Sequence, residues 1–192
     1  SFNPPWEYYK RYVPEALPGA HFRESDLAHQ QILDDAGVDF QSKPRHPEDL
    51  EHRKVQAAYY AMIEQIDHEF GRLLDFLEST GGRENTIIIF TSDHGEALCD
   101  HGLILKGCRF YDPLLRVPLV VSWPRRLAGG VVAEALVELV DLAPTLLELG
   151  GVEVPRRVQG RSLLPLLAGD ADPGEHRDSV RSEFYHALSP VD

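Results

Sequence analysis

Apolar residues recur at three- and four-residue spacing along "LEHRKVQAAYYAMIEQIDHEFGRLLDFLEST", at Val55, Tyr59, Met62, Ile66, Phe70, Leu73 and Leu77. That period places them on one face and predicts an amphipathic helix, stopped by Gly81-Gly82. The pattern then changes. "NTIIIFTSD" is an unbroken apolar run, rich in β-branched residues and bounded by turn formers. It predicts a short strand buried on both faces, as in a parallel sheet. "RVPLVVSWP", from Arg116 to Pro124, predicts a second strand of the same kind. "VDLAPTLLELGGV" reads as a short helix closed by glycines, "RSLLPLLAG" as an apolar turn or helix, and "DSVRSEFY" as a last strand. Strand, long connection, strand and helix together point to an α/β fold. The first 49 residues show no such period. They are rich in Pro, Asp, His and Gly, with aromatics in "PPWEYYKRY", and predict an extended, wrapping segment.

Composition narrows the class. The 192 residues fit one domain, taken here as spanning 1–192, and can bury a core. A hydrophobic content of 43% and a charged content of 26% are ordinary for a globular protein. The net charge of -12 argues against nucleic acid or an anionic membrane surface as partner. It leaves room for a small anionic substrate, since a few local cations override a global field. No apolar run is long enough to span a membrane. Cys99 and Cys108 are the only cysteines, too few for a disulfide framework. They read as reduced thiols, which favours a cytoplasmic over a periplasmic or secreted setting. The sequence has no initiator Met and shows no signal-peptide pattern; the expectation is a piece of something longer.

The candidate chemistry is concentrated after the first predicted strand, in "TSDHGEALCDHGLILKG". Ligands in open α/β sheets sit beyond the carboxyl ends of strands, and Asp93 and His94 lie at that end. A carboxylate and an imidazole are both ligands for divalent ions, and Gly95 lets the backbone turn. Lys106 offers a point charge and three donors to a sulfuryl or phosphoryl oxygen. His101 can act as a general acid or as a donor to an anion. Each has a plain structural alternative: Asp93 as a helix cap, His94 as a satisfied polar residue, Lys106 as a solvated cation, His101 as packing. It is the ordered set that makes the case.

That set, with its flanks, resembles the sulfatase family of the alkaline phosphatase superfamily. The whole of "TSDHGEALCDHGLILKGCRFYDPLLRVPLVVSWP" looks like the family's second signature region. The preceding helix and strand, and "VELVDLAPTLLELGGVEVP" with "QGRSLLPLL" downstream, extend the likeness from about Tyr8 to Leu167. The resemblance implies an alkaline-phosphatase-like mixed, mostly parallel sheet flanked by helices, incomplete in this chain. It implies Asp93 and His94 as two ligands of an active-site divalent ion, Ca2+ first and Mg2+ or Mn2+ as alternatives. It implies Lys106 on the anionic oxygens of the substrate and His101 as a supporting or leaving-group residue. Arg116 would be a salt-bridge residue beneath the site, and His68 a surface or packing residue of the long helix. The family nucleophile, a cysteine or serine in C/S-x-P-S-R converted to formylglycine, is absent here and is expected upstream with the paired aspartates that complete the metal site. Ser122-Trp123-Pro124-Arg125-Arg126 fits S-x-P-x-R in form only, since it falls at the end of the second strand.

The implied activity is metal-dependent hydrolysis of a small sulfate ester. A phosphonate or phosphate ester hydrolase of the same superfamily is the alternative, because both substrates present tetrahedral anionic oxygens. A non-catalytic truncated paralogue that binds metal or anion is the alternative from another class. An incomplete sheet would expose a strand edge and apolar surface and favour a homo-oligomer or aggregation.

Overall fold

A computed structural model describes residues 2–36 and 43–183. The expected single domain divides into two compact units, Ser1–Thr80 with His94–Val117 and Gly81–Asp93 with Pro118–Asp192.

The first unit is helical. The predicted long helix forms as α3, His52–Ser79, and ends just before the glycine pair. Its most buried positions are not the large apolar ones. Ala57, Ala58 and Ala61 are buried, whereas Ile66, Leu73 and Phe76 stay exposed. Small side chains on the amino-terminal half admit close approach of the preceding chain: Tyr8, in α1 (Trp6–Tyr9), is buried and its hydroxyl bonds His68 Nδ1 at 2.7 Å. His68 is thereby a packing residue, as expected.

The segment expected to be extended contains a twelve-residue helix, α2, Glu24–Asp35. Apolar periodicity could not find it, because its buried residue is Gln30 while Ile32 is exposed. The loop 94–111 and α4 (Asp112–Leu115) complete the unit. They pack Ala97, Leu103 and Leu114 together, with Tyr111 against them.

The second unit holds both predicted strands, β1 (Ile88–Thr91) and β2 (Leu119–Ser122). They pair antiparallel, Ile88 opposite Ser122 and Thr91 opposite Leu119, the antiparallel step of a mixed sheet. The expectation that each is buried on both faces fails. Phe90 and Val120 face each other in register and both are exposed, since no described element covers that face. α5 (Leu142–Leu149) and α6 (Leu164–Ala168) form where helical turns were expected. The expected final strand has no regular structure over 178–183, and its remainder lies outside the described residues.

Candidate active site

The loop after β1 is built under backbone strain. Leu98, Cys99, His101 and Leu105 all have positive φ, between 49° and 74°. Each such non-glycine residue costs on the order of 1–3 kcal/mol and persists only where the surroundings over-determine it. The surroundings are visible. Gly95 N–H donates to Leu114 O at 2.9 Å and Glu96 N–H to Pro113 O at 3.2 Å. A Cβ on Gly95 would lie 1.8 Å from Pro113 O, so only glycine allows this closure. Further along, Ala97 N–H donates to Leu105 O, and His101 N–H to His21 O.

Lys106 lies on this loop, half-exposed. Its Nζ is 3.7 Å from Oε2 of Glu96, a carboxylate with 6% of its side chain exposed. The other Glu96 oxygen accepts the Ala97 N–H at 3.1 Å. Burial, and then the Glu96 charge, raise the Tyr59 phenol above its ordinary range. Glu96 thus anchors the lysine from within, a role the sequence reading had not assigned although the residue stands in the quoted D-H-G-E run.

His101 is held on several sides. Its ring stacks on Tyr111 at 4.0 Å with an interplanar angle of 19°. Its Nδ1 is 3.4 Å from Asp26 Oδ2 of α2. Beneath the stack, Gln30 donates its amide N–H to the Tyr111 hydroxyl at 2.7 Å and accepts from Arg109 Nε at 2.7 Å. Arg109 also lies 3.4 Å from Asp34.

Asp93 closes the second unit and His94 reopens the first. They are consecutive, so one peptide, about 3.8 Å between Cα atoms, separates them. Both are exposed. His94 Nδ1 donates to Gly95 O at 2.8 Å, which selects the tautomer whose lone pair is on Nε2, the form a metal-ligating imidazole takes. The pair therefore fits a divalent ion in donor type and tautomer. Among the described residues no group of three or more His, Cys, Asp and Glu side chains converges as a metal site. Two donors are also fewer than the six to eight that Ca2+ takes.

Other candidates fall away from the site. Arg116, expected beneath it, is on the surface, with its guanidinium 3.7 Å from Asp112 and both side chains about four-fifths exposed; it sits just after α4, where the chain turns outward. Ser122 belongs to β2 and accepts from Arg83 at 2.6 Å, while Trp123 is buried and donates its indole N–H to Glu84 O. That S-x-P-x-R run is structural. Cys99 is fully buried and Cys108 half-buried, both as free thiols.

A family model described as Sulfatase matches residues 3–152. An N-acetylglucosamine-6-O-sulfatase of Bacteroides thetaiotaomicron is 40% identical over 129 residues, 66% of this chain and 23% of that protein. An arylsulfatase of Clostridium perfringens is 33% identical over 187 residues, 96% of this chain and 37% of that protein. Among solved structures, a phosphonate monoester hydrolase from Silicibacter pomeroyi superposes with a TM-score of 0.76 at 29% identity, covering 92% of this chain and 36% of that one. A structure in complex with D-glucosamine-2-N,6-O-disulfate gives 0.64 at 32% identity, covering 94% and 35%. The chain thus spans about a quarter to a third of the length of the proteins it matches.

Proposed function

The chain belongs to the sulfatase family, with an alkaline-phosphatase-like α/β fold represented in part, and on that premise we propose that it contributes to metal-dependent hydrolysis of sulfate esters. The observation that carries the reading is the loop after β1: Asp93-His94 at the carboxyl end of the strand and Lys106 on a tightly closed backbone, all inside the family-matched span. Asp93, through carboxylate oxygens, and His94, through Nε2, would hold a divalent ion, Ca2+ first and Mg2+ or Mn2+ as alternatives. When bound there, such an ion polarises the ester oxygens and helps activate the nucleophile. Lys106 binds the anionic oxygens and the charge that grows on them during displacement. His101, with its ring fixed by Tyr111 and Asp26, supplies a hydrogen bond to the anion or the leaving group. The nucleophile, formylglycine by family resemblance, and the remaining metal ligands come from sequence beyond these 192 residues.

A second reading, phosphonate or phosphate ester hydrolysis, is favoured by one observation: the phosphonate monoester hydrolases of Silicibacter pomeroyi and Agrobacterium radiobacter both superpose with TM-scores of 0.76. Tetrahedral anionic oxygens suit Lys106 in either case.

The test uses the intact natural gene product. Its mass reveals whether a longer chain carries a cysteine or serine converted to formylglycine. Turnover of 4-nitrophenyl sulfate against 4-nitrophenyl phenylphosphonate then separates the two readings. Asp93→Asn should abolish stoichiometric metal, with a loss of affinity beyond the roughly 10–100-fold that a supporting hydrogen bond is worth. Lys106→Ala should lower kcat about 10²–10³-fold with metal content unchanged. Metal retained in Asp93→Asn would overturn the ligand assignment.

A further inference from the structure

The helix α2 buries the wrong kind of residue for a helix that merely fills a core. Asp26, Gln30 and Asp34 stand at i, i+4 and i+8, a single stripe. Gln30 has no exposed surface, and the Asp26 and Asp34 side chains are 14% and 12% exposed. Ile32, off that stripe, is 64% exposed. A buried polar stripe is tolerated only where its partners are supplied, and here all of them lie on the loop that carries Lys106. Asp26 meets His101, Gln30 meets Tyr111 and Arg109, and Asp34 meets Arg109.

The orientation of the Gln30 amide follows from chemistry. Arg109 has donors and no acceptor, so the carbonyl oxygen of Gln30 must face it. The NH2 group must then face Tyr111, and the Tyr111 hydroxyl must accept. One buried amide therefore fixes a guanidinium and a phenol together. The phenol ring in turn lies flat on His101. The loop is gripped at His101 on one side of Lys106 and at Arg109 and Tyr111 on the other.

We infer that α2 is a positioning element, whose Asp26–Gln30–Asp34 stripe holds both ends of the 101–111 loop and so sets Lys106 and His101 for an anion. The inference rests on the reading of those two residues as anion-binding. Gln30 touches no reacting group; it acts through Tyr111 and Arg109.

The experiment uses the 192-residue chain and inorganic sulfate as the probe. Amide hydrogen exchange reads the loop, and the Lys106 ammonium and His101 ring signals in NMR read sulfate binding. Gln30→Leu keeps the volume and removes both hydrogen bonds. It should speed exchange over 103–108 by about tenfold or more while the exchange of α3 stays unchanged, and weaken sulfate by about fivefold. Gln30→Glu should restore both, because a carboxylate accepts from Arg109 and from the Tyr111 hydroxyl. Tyr111→Phe, which keeps the ring stack and loses the hydroxyl, should speed loop exchange in the same direction and decides the matter if Gln30→Leu fails to fold. Unchanged loop exchange in Gln30→Leu and Tyr111→Phe overturns the inference, as does a Gln30→Glu chain no better than Gln30→Leu. Faster loop exchange in Gln30→Leu, with no sulfate bound by the parent chain, overturns the anion reading of Lys106 and still supports the hold of α2 on the loop.

Discussion

Cys99 is the residue whose environment argues most directly about chemistry. It has no exposed surface and a φ of 74°. Burial first, then the nearby Asp100 and Glu96 charges, push its thiol from 9.0 to about 11. The thiolate is the reactive form, so Cys99 is a packing residue in a strained turn rather than a nucleophile. At pH 8, iodoacetamide should add to the native chain at Cys108 alone, and at both cysteines after denaturation, read by mass spectrometry of the peptides. Alkylation of native Cys99 at a comparable rate would contradict its burial. The same shift has a stability sign. The folded chain holds the thiol proton to higher pH than the unfolded chain, so the contribution is complete below about pH 9 and is lost as pH rises through about 11. Thermal melts between pH 8 and 11 should show that decline, and Cys99→Ser, without a group titrating there, should show less of it. Lys106 makes a contrast at the same scale. Its Glu96 partner is nearly buried while the lysine is half-exposed, an arrangement that tethers a cation at its base and leaves its reach to solvent.

Among the elements, the turn from 139–141 into α5 carries the heaviest polar load. Asp141 is fully buried. Its carboxylate accepts from Glu138 N at 2.9 Å, Arg161 N at 2.7 Å and Arg177 Nε at 3.0 Å. Its carbonyl accepts from Thr145, whose hydroxyl oxygen accepts from Leu163 N. One residue thus ties the start of α5 to the segment before α6 and to Arg177. Burial alone would raise this carboxyl, but the bond from Arg177 and the two backbone N–H groups outweigh it and hold it below the ordinary range. Asp141→Asn leaves Arg177 without its counter-charge and should cost about 3–5 kcal/mol at pH 7, measured by chemical denaturation. The depressed carboxyl stabilises the fold fully above its unfolded value and loses that as pH falls through the folded one, so the gap between parent and variant should narrow in acid. The elements also differ in how legible they were. α3 and both strands announced themselves through apolar runs, because the backbone period and the burial period coincide there. α2 did not, because its buried stripe is Asp26, Gln30 and Asp34 and its identity depends on partners some 75–80 residues away. The positions of Asp93, His94, His101 and Lys106 were readable as a motif. The grip of Glu96, Tyr111 and Arg109 was not, since a hydrogen-bond partner distant in sequence leaves no local period.

For the molecule as a whole, the open question is what its uncovered apolar surface does in solution. β1 and β2 pair only with each other among the described strands, so each presents an outer edge, a template for further pairing. Phe90 and Val120, opposite one another in register, are 36% and 57% exposed. α3 adds Ile66, Leu73 and Phe76 to the exposed apolar residues of its own unit. Hydrophobic attraction between copies is opposed by the net charge of -12, a repulsion that acts over about 30 Å at 0.01 M salt and only about 8 Å at 0.15 M. The isolated chain should therefore self-associate increasingly as salt and protein concentration rise, as sedimentation velocity would read directly. Val120→Glu places a charge on the exposed sheet face without touching the buried residues, and should shift the distribution back toward monomer at both salts. Phe76→Glu separates the two surfaces: a monomer restored by that change and not by Val120→Glu would locate the contact on α3. A parent chain that stays monomeric at high salt and high concentration would mean that neither surface is sticky enough to drive association.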